Sequence, residues 1–140
     1  MSKSLRPFHL AFPVRNLEEA KLWYCEILGC KVGRESDDWI DFDFFGHQVV
    51  AHLSKTLVND NLNEVDGQNV PIRHFGIILN QEKWTKLKNS LNDKGIQFIV
   101  GPYTRFENSI GEQNTMFIKD PSGNAIEFKA FKDDSMIFSK

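Results

Sequence analysis

The apolar and polar positions of the chain repeat first with the period of a strand and then with that of a helix. In FHLAFPV, residues 8–14, every second residue is apolar, and His9 is the single strongly polar side chain. Since side chains alternate along a strand, His9 points away from the more apolar face. Residues 17–29 instead space apolar side chains three and four apart after Asn16, a favourable N-cap. The strand residues expected to pack against the helices are Phe8, Leu10, Phe12 and Val14.

The order of predicted elements then occurs a second time. Three strands follow the first helix, and after a polar stretch the chain reads again as a strand, a helix and three strands. The turn DFFG at 43–46 corresponds to DPSG at 120–123. This repetition predicts a duplicated βαβββ unit. The strands are expected at 31–36, 39–45, 47–54, 72–80, 96–104, 112–120 and 124–131, with the second helix between Asn80 and Gly95.

Length and pattern together predict one α+β domain built from two βαβββ modules. The 140 residues, 41% of them hydrophobic, suffice for a single domain with a substantial core, spanning residues 1–140. The first module is expected at about 5–54 and the second at about 72–131. Residues 55–71 are polar and aperiodic, which indicates a linker or a lid over a pocket. Residues 132–140 form a tail.

Charge and hydropathy exclude several classes of function. The formal net charge is -2 and no basic run occurs, so the electrostatic footprint of a nucleic-acid-binding protein is missing. No apolar run approaches the roughly 20 residues that span a bilayer, and the first ten residues lack the apolar region of a signal peptide. Cys25 and Cys30 are expected to be buried free thiols, with a disulfide or redox pair as the alternative. Free thiols favour a cytoplasmic protein.

Three polar residues on matching strand faces are the candidate chemistry. His9 and His74 lie at corresponding points of the two first strands, and Glu127 points away from the apolar face of the last strand. Ala11 and Gly76, two residues after each histidine, leave room beside the imidazoles. Two histidines and a carboxylate are the ligands of non-haem Fe(II) oxygenases, and the same set suits catalytic Zn²⁺. The alternative is three unrelated polar residues with local hydrogen bonds.

Three segments give the chain a resemblance to the vicinal oxygen chelate superfamily, which includes glyoxalase I, bleomycin-resistance proteins and extradiol ring-cleaving dioxygenases. They are FHLAFPVRNLEEAKLWYCEILGC, RHFGIIL and FIKDPSGNAIEFKAF, and the resemblance covers about residues 7–131. Superfamily members pair βαβββ modules into a cupped mixed sheet around a metal site, with the helices outside. The resemblance therefore implies that architecture here, with a small-molecule substrate that binds through adjacent oxygens.

The resemblance also implies which residues bind the metal. His9, His74 and Glu127 occupy the three positions that extradiol dioxygenases use, and aligning the two turns places the apolar Val50 opposite Glu127. Glyoxalase I uses a fourth protein ligand, so Val50 favours the dioxygenase pattern. The implied cofactor is a divalent metal ion, Fe(II) in the first place, with Mn(II) or Zn(II) as alternatives.

Two further histidines are candidates for catalysis. His47 matches approximately the acid–base histidine of extradiol enzymes, and His52 shares the parity of Val50 and is expected to face the cavity. A water-exposed turn residue for His47 and a packed strand residue for His52 remain alternatives. Extradiol enzymes usually place a tyrosine where this chain has Phe117, and Tyr103 is the candidate to replace it. That departure concerns catechol cleavage rather than metal binding.

These observations give three hypotheses for the function. The first is an extradiol-type dioxygenase that chelates a small substrate through vicinal oxygens and adds O₂. The second is a glyoxalase-like lyase or isomerase that uses a divalent metal, and the third is a non-enzymatic, resistance-type small-molecule binder. A homodimer is expected because superfamily members often form one, while all three predicted ligands occur within one chain.

Overall fold

The computed structural model describes residues 5–59 and 61–140, and these form two α-helices and ten strands. The described chain divides into two compact units. The first unit runs to Val58 and includes Pro121–Asn124, and the second comprises Asn59–Asp120 and Ala125–Lys140. The elements of the first unit are β1 (His9–Val14), α1 (Leu17–Leu28), β2 (Lys31–Glu35), β3 (Trp39–Phe44) and β4 (His47–Leu53). Those of the second are β5 (Asn61–Val65), β6 (Gln68–Ile72), β7 (His74–Ile78), α2 (Gln81–Asp93), β8 (Val100–Arg105), β9 (Gln113–Lys119), β10 (Ala125–Phe131) and a 3₁₀ turn (Asp134–Met136).

Each unit contains a four-stranded mixed sheet with the same strand order. The first sheet runs β1-β4-β3-β2 and the second β7-β10-β9-β8. In each sheet the first and last strands of the βαβββ unit pair in parallel, and the other neighbours are antiparallel. The predicted α+β class and the duplication of a βαβββ unit are therefore confirmed.

The two parallel pairs have equivalent registers. His9 lies opposite Gln48 and His74 opposite Ala125, so each histidine begins its pair. Two residues further on, Ala11 lies opposite Val50, whereas Gly76 lies opposite Glu127. Val50 is therefore the repeat equivalent of Glu127, as the alignment of the two turns predicts.

The helices begin and end where the sequence indicates. Asn16 Oδ1 accepts a hydrogen bond from the Glu19 amide and Asn80 Oδ1 one from the Lys83 amide, both at 2.8 Å. Gly29 adopts a left-handed conformation with φ of 71°, which only glycine enters without strain, and ends α1. In the second unit Trp84 on α2 donates its indole hydrogen to Phe128 O on β10 at 2.9 Å. The bond from Trp84 fixes α2 against its own sheet.

The burial of one face of β1 differs from the prediction. Phe12 and Val14 are buried, but Phe8 is 64% exposed because β1 begins only at His9. The cysteines are free, as predicted, although Cys25 is only half-buried. Burial raises the pKa of the Cys30 thiol to about 12. Neither helix of the described residues is long and apolar enough to cross a membrane.

The segment expected to be an irregular linker contains a β-hairpin, so that expectation was wrong for most of residues 61–71. β5 and β6 pair in antiparallel fashion through the two-residue turn Asp66-Gly67, whose φ angles are 53° and 75°. Positive φ at both positions is typical of a type I′ turn, which suits the strand twist. Residue 60 lies outside the described residues. The hairpin packs on β8 and β9 through an apolar cluster of Val65, Val70, Val100, Tyr103 and Phe117.

Candidate metal-binding site

His74 and Glu127 lie side by side on the parallel strands β7 and β10. Nε2 of His74 is 3.2 Å from Oε1 of Glu127, with 31% of the histidine side chain and 11% of the glutamate side chain exposed. The strands approach closely here because Gly76 stands opposite Glu127. A Cβ at Gly76 would lie 1.6 Å from Glu127 O, so only glycine permits this pairing. The absence of a side chain at Gly76 therefore allows the backbones of β7 and β10 to approach each other. It also leaves room beside the imidazole.

The second nitrogen of His74 is held by the hairpin. Nδ1 lies 2.7 Å from Pro71 O on β6. A carbonyl oxygen only accepts, so Nδ1 carries the hydrogen and Nε2 is the nitrogen directed at Glu127. Histidines that bind metal ions usually donate their other ring hydrogen to such an oxygen. The main chain of β6 thus sets the orientation that a ligand histidine needs.

Glu127 is held in the same way by its neighbouring strand. Thr115 Oγ1 on β9 donates to Oε2 at 2.5 Å, and Thr115 is only 2% exposed. This bond occupies one carboxylate oxygen and leaves Oε1 facing His74. Burial raises the pKa of Glu127, but the hydrogen bonds from His74 and Thr115 outweigh it, and the pKa lies below the usual 4.5. Glu127 is therefore kept as a carboxylate, the form that binds metal ions.

The electrostatics of His74 reflect the same contact. Its hydrogen bond to Glu127 raises the pKa of His74 above the usual 6.5, against the opposing effect of burial. An imidazole nitrogen and a carboxylate oxygen that lie 3.2 Å apart can either share a proton or bind the same metal ion. The pair borders a cavity of about 250 Å³ within the second unit, whose lining also includes Gly76, Ile78 and Lys129.

In the first unit, His9 has a comparable partner in Gln48. His9 Nδ1 is 2.8 Å from Gln48 Oε1, and Gln48 Nε2 is 3.5 Å from Asp41 Oδ2. Because a carboxylate accepts, the amide NH₂ of Gln48 faces Asp41 and its oxygen faces His9. The hydrogen of His9 therefore lies on Nδ1, and Nε2 is the nitrogen left to bind a ligand. Val50, two residues after Gln48, is 6% exposed and apolar, so this strand pair offers no carboxylate at the position of Glu127.

The two candidate catalytic histidines differ in environment. His47, half-buried at the start of β4, accepts a hydrogen bond at Nδ1 from the Phe8 amide at 2.8 Å. It therefore carries its hydrogen on Nε2, and it lines a cavity of about 370 Å³ in the first unit together with Gln48. His52, opposite Trp39 and Pro13, is exposed. Their roles in catalysis stay predictions.

The departure at Phe117 lies directly beside the candidate ligands. Its ring contacts the His74 imidazole edge-on, with centroids 4.9 Å apart, and the residue is 3% exposed. An apolar ring therefore occupies the place where a phenol was expected. Tyr103 belongs to the adjoining cluster, but its hydroxyl donates to Asp66 Oδ2 at 2.9 Å in the hairpin turn. Tyr103 thus stabilises the hairpin.

Four residues around the candidate ligands were given no role from the sequence. Gln48, Pro71 and Thr115 orient His9, His74 and Glu127 respectively. Lys129 follows Glu127 by two residues, so strand parity already indicated its place on the same face. Thr115 and Pro71 gave no such signal, because their contacts depend on strand register and on a hairpin that was not predicted.

The donor set fits a divalent metal ion, with nitrogen from His74 and oxygen from Glu127. The other ring nitrogen of His74 and the other carboxylate oxygen of Glu127 each make a hydrogen bond elsewhere in the second unit, which is typical of metal ligands. Across residues 5–59 and 61–140, no group of three or more His, Cys, Asp or Glu side chains converges on one point. The three-ligand set that adds His9 therefore stays a prediction.

Comparisons with known proteins agree with this architecture. Residues 6–128 match the family model of the Glyoxalase/Bleomycin resistance protein/Dioxygenase superfamily. A glyoxalase/bleomycin resistance protein/dioxygenase from Alicyclobacillus acidocaldarius is 39% identical, with a TM-score of 0.81 over 99% of this chain and 100% of that one. No curated protein matches the chain significantly.

Two more distant structures share the fold. An integron cassette protein from the mobile metagenome of Halifax Harbour sewage outfall is 26% identical, with a TM-score of 0.67 over 89% of this chain and 97% of that one. The fosfomycin resistance protein FosX from Listeria monocytogenes is 13% identical, with a TM-score of 0.68 over 93% of this chain and 94% of that one. At that identity the likeness to FosX concerns the fold alone.

Proposed function

The chain belongs to the Glyoxalase/Bleomycin resistance protein/Dioxygenase superfamily, and on that premise we propose that it is a metal-dependent enzyme acting on a small substrate. His9, His74 and Glu127 would hold a divalent ion, Fe(II) first among the candidates. The substrate would bind through two adjacent oxygens. The proposed reaction is the addition of O₂, as in extradiol dioxygenases.

One observation carries the proposal. His74 Nε2 and Glu127 Oε1 lie 3.2 Å apart, while Nδ1 and Oε2 are engaged by Pro71 and Thr115. Two bonds thus orient two unlike donors towards each other, an arrangement that a cation would satisfy. The bound ion would act as a Lewis acid that lowers the pKa of a substrate hydroxyl and stabilises developing negative charge.

The surrounding residues would bind the substrate and exclude water. The buried Phe117 and Val50 would contribute surfaces without hydrogen-bonding groups. His47 carries its hydrogen on Nε2, because Nδ1 already accepts from the Phe8 amide. It therefore begins as a proton donor, and His52 would contact substrate or orient a ligand. These two roles rest on the resemblance and on strand position.

The decisive experiment combines metal binding with oxygen consumption. Protein purified anaerobically is titrated with Fe(II), Mn(II) and Zn(II), and O₂ uptake is then measured with catechols and other vicinal diols. We expect one metal per chain and uptake only with reduced iron. Absence of binding for all three ions would refute a metal-dependent enzyme. His9→Ala, His74→Ala and Glu127→Ala should each lose affinity at least about tenfold, whereas the exposed Glu82→Ala should not.

A glyoxalase-like lyase or isomerase is the second candidate, and Phe117 favours it. The phenol expected of an extradiol enzyme is replaced by a ring that packs on His74 and cannot donate a hydrogen bond. Such an enzyme would stabilise an enediolate with the same ligands. Turnover under argon without oxygen consumption distinguishes it from a dioxygenase.

A resistance-type binder that sequesters its ligand is the third candidate. FosX shares the fold and is described as a fosfomycin resistance protein. Sequestration without a metal predicts ligand affinity that survives His74→Ala, whereas both enzyme hypotheses predict its loss. Light scattering at several protein concentrations would test the accompanying expectation of a homodimer, and fractionation of cells that express the chain would test its expected cytoplasmic location.

A further inference from the structure

Lys129 places a positive charge beside the candidate metal ligands. It follows Glu127 by two residues on β10 and therefore extends from the same face of the sheet. Its Nζ lies 3.9 Å from Glu127 Oε1, beyond hydrogen-bond distance, and 30% of the side chain is exposed. It lines the same cavity of about 250 Å³ as His74 and Glu127. A ligand in that cavity would lie within reach of the ammonium group.

The charges around this cavity do not balance once a metal ion is present. The neutral imidazole of His74, the carboxylate of Glu127 and a divalent ion leave one net positive charge, and Lys129 adds a second. Glu127 is the single acidic residue of the cavity lining, and its Oε1 would then bind the ion. Two cations so close repel each other, so Lys129 weakens metal binding unless an anion joins them.

We propose that Lys129 determines the substrate class, and that the site takes a small dianion that chelates through two adjacent oxygens beside the ammonium group. This inference rests on the proposed metal-dependent function. A ligand of charge minus two would neutralise the loaded site. A neutral diol would bind only as far as it loses protons, at an energetic cost. Enediolates, dicarboxylates and phosphonates belong to this class of ligand.

If Lys129 only balanced the charge of Glu127, its removal would not lower anion affinity. Mn(II) affinity would rise, because a cation beside the ligands is lost, while oxalate and oxamate would bind as before. The dianion proposal instead predicts that losing Lys129 leaves Mn(II) affinity unchanged or higher while it lowers anion affinity. Metal and anion binding therefore respond in different directions.

Oxalate and oxamate are the matched probes. Both chelate through two adjacent oxygens and have nearly the same shape, but oxalate carries two negative charges and oxamate one. Mn(II)-loaded protein is titrated with each by calorimetry, and Mn(II) affinity is measured separately from the resonance of the free ion. In Lys129→Met we expect oxalate binding to fall about tenfold and oxamate binding about threefold, because Coulomb energy scales with ligand charge. Lys129→Arg keeps the charge and should retain the preference for oxalate.

The controls separate this inference from its premise. Lys86→Met removes the same charge from an exposed pair with Glu82 on α2 and should change neither affinity. If wild-type protein binds no Mn(II), the metal-dependent function fails and the inference fails with it. If Mn(II) binds and Lys129→Met lowers both probes equally, or lowers neither, only the inference is overturned. Unfolding curves for each variant exclude loss of fold as the cause.

Discussion

The parallel strand pairs of the two units have the same register but differ in the side chains at equivalent positions. Both begin with a histidine, opposite Gln48 in the first unit and Ala125 in the second. Two residues further along, the first unit pairs Ala11 with Val50, whereas the second pairs Gly76 with Glu127. The duplicated backbone thus provides one nitrogen donor in one unit, and a nitrogen and an oxygen donor in the other.

The means of orienting each histidine differ as well. In the first unit a side chain, Gln48, accepts the hydrogen of His9, and a half-buried carboxylate, Asp41, orients Gln48. In the second a main-chain carbonyl, Pro71 O, accepts the hydrogen of His74, and it comes from the β5–β6 hairpin. In the order β1-β4-β3-β2 of the first unit, no described strand corresponds to that hairpin. The duplication therefore preserves the strand order, whereas the contacts that orient the two histidines differ between the units.

Gly76→Ala should have the largest effect on this comparison. The new Cβ would lie 1.6 Å from Glu127 O, so β7 and β10 must separate. We expect a loss of about 3 kcal/mol in the free energy of unfolding, at the upper end for overpacked sites, measured by urea denaturation. Ala11→Gly, the repeat-equivalent control, should cost about 1 kcal/mol or less. Similar losses in the two variants would contradict the closer approach of strands in the second unit.

Thr115→Val should have the next largest effect, through Glu127. Valine keeps the shape of threonine but removes the hydrogen bond to Oε2. Glu127 would then lose the partner that holds Oε1 towards His74. We expect Mn(II) affinity to fall about thirtyfold, within the range for partners of metal ligands, as measured by equilibrium dialysis.

Two variants sharpen the interpretation of Thr115. Thr115→Ser keeps the hydroxyl and should restore most of the affinity. Thr104→Val removes an exposed hydroxyl that donates to Asn114 Oδ1 and should leave metal binding unchanged. Undiminished Mn(II) affinity in a folded Thr115→Val protein would show that Glu127 does not depend on this bond.

Much of the fold could be predicted because apolar spacing reflects burial directly. The alternation in β1 and β10, the caps Asn16 and Asn80 and the glycine at position 29 all act locally, within a turn or a strand. The repeat then supplied the equivalence of Val50 and Glu127. Phe8 was predicted wrongly because alternation gives the face of a strand but not the residue at which pairing begins.

The hairpin and the orienting contacts could not be predicted from polarity. β5 exposes every residue except Val65, and β6 starts with two polar residues and continues with three apolar ones, so neither shows the alternation of a half-buried strand. The local signal was the dipeptide Asp66-Gly67, which favours a two-residue hairpin turn. Thr115 meets Glu127 only because β9 and β10 pair in one register, and a side-chain pattern does not determine register between strands.

Gln48→Leu tests the side-chain contact in the first unit. His9 Nδ1 would lose its acceptor, so the imidazole would populate both tautomers. We expect Mn(II) affinity to fall about tenfold, less than for Thr115→Val, because Gln48 is exposed and water can replace it in part. Nitrogen NMR should show His9 predominantly with hydrogen on Nδ1 in the wild type and mixed in the variant, with His74 unchanged. Gln97→Leu, another exposed glutamine, is the control, and an unaltered His9 tautomer in Gln48→Leu would contradict the assignment.

Asp66→Asn should have the smallest effect and tests the hairpin that the first unit lacks. Hydrogen bonds from Arg105, and then from Tyr103, hold the pKa of Asp66 below its usual 3.8. A lowered pKa means that this stabilisation is present above pH 3.8 and is lost as the pH falls through the lower value of the folded protein. Amide protection factors of β5 and β6 should therefore decrease in acid in the wild type, and should already be reduced at pH 7 in the variant. Those of β1 and β4, measured in the same sample, should stay constant, because neither strand pairs with the hairpin. A parallel decrease in both units would indicate general unfolding instead.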